Sequence, residues 1–511
     1  MPAADAVWED RRVHRSSMDS RGTDRISARR VVRLLAAIAA AVAGLAGATT
    51  AAAAGLCPGG ARCGTVTVPF DRADPAAGTI DIAYAFVPHS DASSPSLGTV
   101  VPNPGGPGQS TIASAGLYLQ GAPQLFAQRD LLLIDPRGTG GSGALTCPSL
   151  AGRQPLDEAE IARLCSADLG SRAGRYGSAD VADDVDAVRA ALGIDKLDLW
   201  GDSYGTFLMQ VYAARHPEHV RSVVLDGAFP IESDPWGRDV LRGVRRVIPL
   251  VCSRMLRCSG RRALAQIGEL AVRLRRRPIE FTAATPRGRL HLTLGERELA
   301  NLTWAGGRPE ELKRVPGAVA AALRHRFGPL KKLVVSSRLR DLDNLAVDPA
   351  IYSVVAGVAT ACRDYPRPYD LGAPPATRRA QYRRRLRALD RAQFRPFSPG
   401  AWLRTHIDAG PKCLDWPPDP AAGSGLRGLR MPDVPVLVMS GELDTNTPVE
   451  QGRAVAAQFP HATFAVVAGA GHTPALDPCG VALGVEFVER LAVNANRCRR
   501  GSGHASRSAS G

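Results

Sequence analysis

Ser203 stands in a pattern that could make it a catalytic nucleophile. The chain has 511 residues, and positions 201–205 read G-D-S-Y-G, after the apolar run Leu197–Trp200 and before a run with helical spacing. A serine on a sharp turn from strand to helix needs small residues two positions to either side, because larger side chains would clash there. Gly201 and Gly205 meet that need. The pattern predicts an activated serine, and the alternative is a glycine-rich turn whose serine caps the helix.

Two later residues could activate Ser203. A serine nucleophile needs a base to take its proton, and that base needs an acid to orient it. Asp444 and His472 each come a few residues after an apolar run with the length of a strand. Because the carboxyl ends of parallel strands meet at one edge of a sheet, the order Ser, Asp, His predicts a catalytic triad. Glu442 is the alternative acid.

A glycine-rich loop could hold the negative oxygen that such a serine creates. Positions 103–108 read N-P-G-G-P-G and directly follow the apolar run 99–102. Backbone N–H groups can approach a developing oxyanion where no side chains stand in the way. The N–H groups of Gly106 and Tyr204 are the predicted pair. A simple Pro/Gly turn is the alternative.

The elements around these residues predict an α/β fold with a mostly parallel sheet. Short apolar runs alternate with helical patterns from about 65 to 228 and again from 434, so one interrupted sheet explains the chain better than independent domains. The predicted strands are Thr65–Val68, Ile80–Val87, Thr99–Pro102, Leu131–Ile134, Leu197–Trp200, Ser222–Leu225, Val436–Met439 and Phe464–Val467. The predicted helices of the core include Ala179–Leu192, Val449–Gln458 and Val481–Leu491.

A large, mainly helical lid insertion is predicted after the sixth strand. The chain then divides into a signal peptide at 1–56, a first core part at 57–229, the insertion at 230–400, a second core part at 401–498 and a disordered tail at 499–511.

The net charge of +15 is concentrated in this insertion, where residues 240–345 include 23 basic and 8 acidic side chains. No zinc-finger spacing or RNA-binding aromatic pattern accompanies them, so no nucleic acid is predicted as a partner. The charge predicts a solvated, arginine-rich helical surface, with anionic cell-envelope polymers or acidic substrates as the alternatives. No obligate protein partner is predicted.

The N-terminal region and the cysteines both predict export. Arg29, Arg30 and Arg33 precede an uncharged stretch at 34–54 that ends in small residues, as in a cleaved signal peptide; an N-terminal anchor is the alternative. All ten cysteines follow it, which predicts a secreted or envelope-associated protein. No C-x-x-C spacing or nearby histidine pair suggests a metal, so neither metal nor cofactor is predicted. The simplest pairing joins sequence neighbours: 57/63, 147/165, 252/258, 362/413 and 479/498.

These motifs resemble those of the secreted tripeptidyl aminopeptidase-like serine peptidases of actinobacteria, which are α/β-hydrolases related to prolyl aminopeptidases. The shared motifs are N-P-G-G-P-G at 103–108, D-P-R-G-T-G at 135–140, G-D-S-Y-G at 201–205, L-D-T-N-T-P at 443–448 and G-H-T at 471–473. Cys362 and Cys413, with Trp416 just after, are also similar. The resemblance spans about 57–498 and is weakest across 234–352. It implies an α/β-hydrolase that releases short peptides, such as tripeptides, from free N-termini, with Ser203, Asp444 and His472 as its triad.

An aminopeptidase should hold the ammonium group of its peptide substrate with carboxylates. The candidates are Asp202, Glu232, Asp364 and Glu442, while Arg137 is expected to be a structural brace under the site. The same triad also serves esterase- and lipase-like hydrolases of carboxylic esters, which remain the alternative function. A binding protein on an inactive hydrolase scaffold is disfavoured, because no triad position is substituted.

Overall fold

The computed structural model describes residues 56–155, 157–407 and 409–499. The predicted signal peptide lies outside these ranges apart from its last residue, and the predicted tail lies outside them apart from its first. Within the described ranges, no helix combines the length and the apolar character that a membrane span requires.

An eight-stranded sheet forms the centre of the fold. The strands of the described residues are β1 (Arg62–Pro69), β2 (Thr79–Val87), β3 (Thr99–Asn103), β4 (Asp130–Ile134), β5 (Leu197–Asp202), β6 (Val220–Asp226), β7 (Ile279–Thr285), β8 (Gly288–Leu294), β9 (Val436–Gly441) and β10 (Ala462–Val467). The order across the large sheet is β1-β2-β4-β3-β5-β6-β9-β10. The pairs β1/β2 and β2/β4 are antiparallel and all other neighbours are parallel, which confirms the predicted mostly parallel sheet.

Helices connect the strands and form most of the insertion. Those of the described residues are α1 (Ala115–Gly121), α2 (Pro123–Gln128), α3 (Glu158–Leu169), α4 (Ser178–Ala191), α5 (Tyr204–Arg215), α6 (Arg238–Ser253), α7 (Gly260–Arg276), α8 (Glu296–Trp304), α9 (Pro309–Leu312), α10 (Val315–Ala322), α11 (Gly328–Ala346), α12 (Val354–Asp364), α13 (Pro375–Arg387), α14 (Pro399–Trp402), α15 (Val449–Ala456) and α16 (Pro478–Arg490). Each core helix predicted from the sequence is present within a few residues of its expected ends.

The central strands are covered on both faces. Every residue of β3, β5 and β9 is buried, and most of these residues are apolar, so the strands do not show the alternation of a half-exposed sheet. Helices α4 and α5 pack on one face of the sheet, and α1 and α16 pack on the other. The strand ends that precede the candidate catalytic residues are therefore held rigidly by two hydrophobic layers.

The insertion packs around a hydrophobic core that it shares with α3, and it contains a hairpin that the sequence analysis missed. Strands β7 and β8 pair antiparallel. Their apolar residues alternate only over short stretches, such as Leu290 to Leu294, which explains why they were not predicted. The same core includes Trp402 and Trp416, so the packing of the insertion continues past its predicted end at residue 400.

All ten cysteines form disulfides between sequence neighbours, with the five pairings predicted. The bridge between Cys362 and Cys413 joins α12 of the insertion to the segment before β9. The bridge between Cys479 and Cys498 closes the C-terminal helix onto the chain after it.

Candidate active site

Ser203 occupies a strained turn between β5 and α5. Its φ is +54°, a conformation that residues with a side chain rarely adopt. A Cβ on Gly201 would lie 2.3 Å from the carbonyl oxygen of Gly205, and a Cβ on Gly205 would lie 2.1 Å from that of Asn103. Both positions therefore require glycine, as the sequence pattern indicates. The turn is further held by the N–H of Ser203, which donates to the carbonyl of Asp226 at 2.9 Å.

The structure brings Ser203, His472 and Asp444 together in hydrogen-bond contact. The distance from Nε2 of His472 to Oγ of Ser203 is 2.8 Å, and that from Nδ1 of His472 to Oδ2 of Asp444 is 3.0 Å. Asp444 is completely buried, so its carboxylate is not screened by water. A carboxylate at Nδ1 favours the tautomer in which Nε2 can accept the serine proton. The arrangement suits general-base activation of Ser203.

Residues after Asp444 orient its carboxylate. The N–H groups of Asn446 and Thr447 donate to Oδ1 at 2.7 and 3.1 Å, and the Thr447 hydroxyl donates to Oδ2 at 2.8 Å. The Asn446 amide also lies 3.1 Å from Nε2 of His472. Both residues belong to the L-D-T-N-T-P motif, but the sequence analysis assigned them no role.

A glycine of the insertion touches the same residues. The N–H of His472 donates to the carbonyl of Gly307 at 2.9 Å, and the N–H of Gly307 donates to Oγ1 of Thr445 at 3.2 Å. A Cβ on Gly307 would lie 2.6 Å from both Oδ1 of Asp444 and Cβ of His472. The insertion therefore does more than cover the site, because its backbone helps to position the base and the acid. No sequence motif marked this glycine.

The two predicted oxyanion-hole residues lie next to Ser203. Gly106 and Tyr204 line one cavity with Ser203. The loop before Gly106 approaches the nucleophile turn closely, since a Cβ on Gly105 would lie 2.5 Å from the carbonyl oxygen of Asp202 and 3.0 Å from the nitrogen of Tyr204. Tyr204 begins α5, whose N-terminal N–H groups favour negative charge.

One buried carboxylate lines the cavity at Ser203. Asp239, on α6, is 9% exposed, and its Oδ2 accepts a 2.6 Å hydrogen bond from the neutral amide of Gln451. Burial raises the pKa of Asp239. Asp234 lines the same cavity but pairs with Arg238 at 2.8 Å. The sequence analysis missed Asp239, because nothing along the chain indicates that α6 places it in the cavity that Ser203 lines.

None of the four carboxylates predicted as ammonium ligands lines that cavity, and three of them, Glu442, Glu232 and Asp364, lie elsewhere. Glu442 binds Arg254 and accepts from the N–H of Gly469 at 2.8 Å. Glu232 is exposed and lines a separate cavity with Asp364. Asp239 and Asp234 are instead the carboxylates that line the cavity at Ser203, and the role of an ammonium ligand stays a prediction. Sequence proximity to the site did not predict where their side chains would point.

Two buried aspartates lie behind the nucleophile turn. Asp202 accepts from the Tyr118 hydroxyl at 2.8 Å and from Nε1 of Trp200 at 3.0 Å. Burial raises the pKa of Asp202 to about 6 and raises that of Asp226 well above its usual value. Both line an apolar cavity of about 560 Å³ that lies apart from the one at Ser203, so Asp202 is also not placed to bind a substrate ammonium there.

Arg137 is a structural brace, as expected. Its guanidinium is fully buried and donates to both carboxylate oxygens of Asp184 at 2.7 and 2.8 Å, and to the carbonyl of Phe70 at 2.8 Å. These bonds tie the loop after β4 to α4 and β1.

One group within the described ranges has the composition of a metal site: Asp186, His216 and His219, whose ligand atoms lie within 4.8 Å of one another. Oδ1 of Asp186 already accepts from Arg189 at 2.7 Å and from the Tyr212 hydroxyl at 3.0 Å, and it lies 2.7 Å from Nδ1 of His219. Three partners on one oxygen describe an ion-pair network, so no metal role is assigned to it.

Comparison with known proteins identifies the fold family. The model of the alpha/beta hydrolase fold matches residues 98–273, which contain the nucleophile turn, and the model of the TAP-like protein matches residues 401–498, which contain Asp444 and His472. The chain has the α/β-hydrolase fold. The predicted resemblance to tripeptidyl aminopeptidase-like peptidases is confirmed by the second match and by the relatives.

Three relatives that are named for different functions align with this chain. Serine protease Hip1 of Mycobacterium tuberculosis is 36% identical over 199 residues, which are 35% of this chain and 38% of that protein. Tripeptidyl aminopeptidase of Streptomyces coelicolor is 34% identical over 200 residues, 34% of this chain and 36% of the relative. Carboxylesterase B of M. tuberculosis is 33% identical over 191 residues, 33% and 36% of the two chains. The aligned part thus spans less than two fifths of each relative's length.

Proposed function

We propose that this α/β-hydrolase is a serine exopeptidase that releases short peptides, such as tripeptides, from free N-termini. His472 takes the proton of Ser203 as the serine oxygen attacks the scissile carbonyl carbon. The N–H groups of Gly106 and Tyr204 stabilise the negative oxygen of the tetrahedral intermediate. His472 then gives its proton to the departing amine, and a water activated by the same base hydrolyses the acyl-enzyme.

The contact of Ser203, His472 and Asp444 carries the hydrolase part of the proposal. An Oγ–Nε2 distance of 2.8 Å is within the range for proton transfer, and the buried Asp444 stabilises the imidazolium that forms. The strained turn holds the serine oxygen in place before the substrate arrives, so little reorganisation is needed during attack.

The position of Asp239 supports a free-amine substrate. A substrate ammonium in the cavity at Ser203 would meet a carboxylate that is 9% exposed and held by the neutral Gln451 amide. Such a carboxylate interacts strongly with a cation because water screens it weakly. An N-acetylated peptide would leave Asp239 without that partner and is expected to bind poorly.

Paired peptide substrates test this proposal. Wild type should cleave a free-amine tripeptide amide with a kcat/KM about 10²-fold higher than that for its N-acetylated counterpart. Asp239→Asn should reduce this ratio to near one, because it removes the charge that distinguishes the two substrates. Glu232→Gln is the matched control, since Glu232 is exposed and lines a different cavity, and it should leave the ratio unchanged.

Ester hydrolysis is the second candidate function, and the similarity to Carboxylesterase B favours it. An esterase would hydrolyse p-nitrophenyl esters faster than peptide amides and would not distinguish free from acetylated amines. Equal cleavage of both peptides, together with faster ester turnover, would replace the exopeptidase proposal with this one.

We also propose that the mature protein is exported. The predicted signal peptide and the five disulfides support this location, because such bonds persist in oxidising compartments. N-terminal sequencing of protein recovered from culture medium or cell envelope should begin near residue 55. The arginine-rich insertion supports association with anionic cell-envelope polymers, which salt should weaken as the Debye length falls from about 10 Å at 0.1 M to about 3 Å at 1 M.

A further inference from the structure

Helix α12 of the insertion packs against one half of the oxyanion hole and is linked to the other half by hydrogen bonds. The two N–H donors come from distant parts of the chain: Gly106 lies in the loop after β3, and Tyr204 is the first residue of α5. Two donors act together only when their distance and direction are fixed, because the oxyanion must reach both. An element that is linked to both segments can therefore fix the distance between the two donors.

The first end of α12 is packed against the loop of Gly106. The N–H of Ser353 donates to the carbonyl of Gly108 at 2.9 Å. A Cβ on Gly108 would lie 2.2 Å from the carbonyl oxygen of Ser353, and a Cβ on Gly357 would lie 2.6 Å from that of Pro107. Backbone meets backbone here with no side chain between, so the loop cannot move towards the helix.

The second end of α12 reaches Tyr204 through a chain of hydrogen bonds. The hydroxyl of Tyr204 lies 2.8 Å from Oγ of Ser178, which lies 2.6 Å from Oδ2 of Asp364, the last residue of the helix. The N–H of Ser178 also donates to this Oδ2 at 2.7 Å. A serine hydroxyl has only one hydrogen, and Ser178 donates it to Asp364. The hydroxyl of Tyr204 therefore donates to Ser178.

This chain lies in the interior of the protein. Ser178, Tyr204 and Asp364 are 0%, 3% and 7% exposed. Water is therefore poorly placed to replace any of these bonds, and a lost bond leaves a buried polar group without its partner. The ring of Tyr204 consequently has one preferred position. Because the side chain and the backbone nitrogen of Tyr204 are bonded to the same α-carbon, fixing the ring also restrains the N–H group.

We propose that Asp364 is a positioning residue which, through Ser178, holds Tyr204 and hence the second N–H donor of the oxyanion hole. The other end of helix α12 holds the loop of Gly106. The packing of the insertion against the core therefore affects how well both N–H donors stabilise the tetrahedral intermediate. Asp364 thereby acquires a role different from the ammonium binding expected from the sequence. The inference rests on the proposed function only in that Ser203 must act as a nucleophile.

Removal of single hydroxyl groups tests the proposal. Tyr204→Phe and Ser178→Ala each break the chain, whereas Tyr212→Phe is the matched control. Tyr212 is also on α5, is fully buried, and donates to an aspartate, Asp186, at 3.0 Å. The measured quantity is the second-order rate at which an alkyl fluorophosphonate labels Ser203, because its phosphoryl oxygen occupies the oxyanion hole and no knowledge of the natural substrate is needed. Circular dichroism and thermal unfolding show whether each variant is folded.

Labelling is expected to be about 10-fold slower in Tyr204→Phe and Ser178→Ala than in wild type. This effect is smaller than the loss of rate when an oxyanion-hole donor is removed, because the N–H of Tyr204 is still present in both variants. With a p-nitrophenyl ester these two variants should lose kcat at nearly constant KM, whereas Tyr212→Phe should keep both while losing a similar amount of thermal stability. Unchanged labelling in folded Tyr204→Phe, or equal slowing in Tyr212→Phe, would overturn the positioning role. Absence of labelling in wild type would instead refute the nucleophile, and with it the proposed function.

Discussion

Replacing Gly307 by alanine should disable the proposed catalytic triad of this protein without unfolding it. The added Cβ would lie 2.6 Å from Oδ1 of Asp444 and 2.6 Å from Cβ of His472, whereas ordinary contacts are 3.4 to 4 Å. The overlap is close to 1 Å on two sides. Oδ1 cannot retreat easily, because the N–H groups of Asn446 and Thr447 both donate to it.

The expected losses of activity and of stability follow from this displacement. The 3.0 Å contact between Nδ1 of His472 and Oδ2 of Asp444 must lengthen or bend, and a misplacement of about 1 Å in a catalytic site can cost about 10²-fold in rate. Gly307 also has a φ of +70°, so alanine adds roughly 1–2 kcal/mol of backbone strain. A fall of several degrees in melting temperature is expected alongside a kcat about 10²-fold lower.

Steady-state turnover of a p-nitrophenyl ester and of a free-amine peptide amide measures the effect, with melting temperature as the check on folding. Gly317→Ala is the control, because Gly317 lies in α10 and a Cβ there would meet no atom within 4 Å. That variant should keep wild-type kcat and be equally or more stable, since alanine is the better helix former. A folded Gly307→Ala protein with near-normal kcat would refute the role of the insertion in positioning the base and acid.

Three further outcomes are expected. Asp444→Asn should lower kcat about 10³-fold or more by disturbing the base, while Glu442→Gln should have little effect, and the reverse order would show that the acid is misassigned. Burial raises the pKa of Asp364 from 3.8 to about 7, so the protonated carboxyl group stabilises the folded protein fully below about pH 4, and this stabilisation is lost as the pH rises through 7. In denaturant unfolding, the free energy of unfolding of Asp364→Asn should therefore rise relative to that of wild type by up to about 4 kcal/mol between pH 4 and pH 8. A difference that stays constant with pH would contradict this. Replacing both Cys362 and Cys413 by serine should lower the free energy of unfolding by about 2–5 kcal/mol, because the bridge closes a loop across a sequence separation of 51 residues. An unchanged free energy of unfolding would argue against that bond.

Much of the core could be predicted from the sequence because its signals are local. Strands such as β9 begin with a continuous buried apolar run, here 436–439, and the glycines around Ser203 are required by close backbone contacts that the turn itself creates. The ends of strands in a parallel sheet then converge by geometry, so residues far apart in sequence meet at one edge. His472 and Asp444 could be anticipated for that reason.

The parts that could not be predicted depend on contacts between distant segments. Asp239 faces the serine only because α6 of the insertion packs beside the turn, and no periodicity along α6 indicates this direction. Asp364 was a candidate ligand for the substrate ammonium only because it carries a carboxylate, but that carboxylate accepts a hydrogen bond from Ser178. Gly307 carries no motif at all, and its requirement arises from the side chains of two residues far along the chain.

Identification of the residue that reacts with an alkyl fluorophosphonate tests the central claim most directly. Mature wild-type protein, with its disulfides intact, is labelled to completion, digested and analysed by mass spectrometry, in parallel with Ser203→Ala. One adduct per chain is expected, on the peptide that contains Ser203, and no adduct is expected in the variant. Stoichiometric labelling of Ser203→Ala, or an adduct on another residue in wild type, would contradict it.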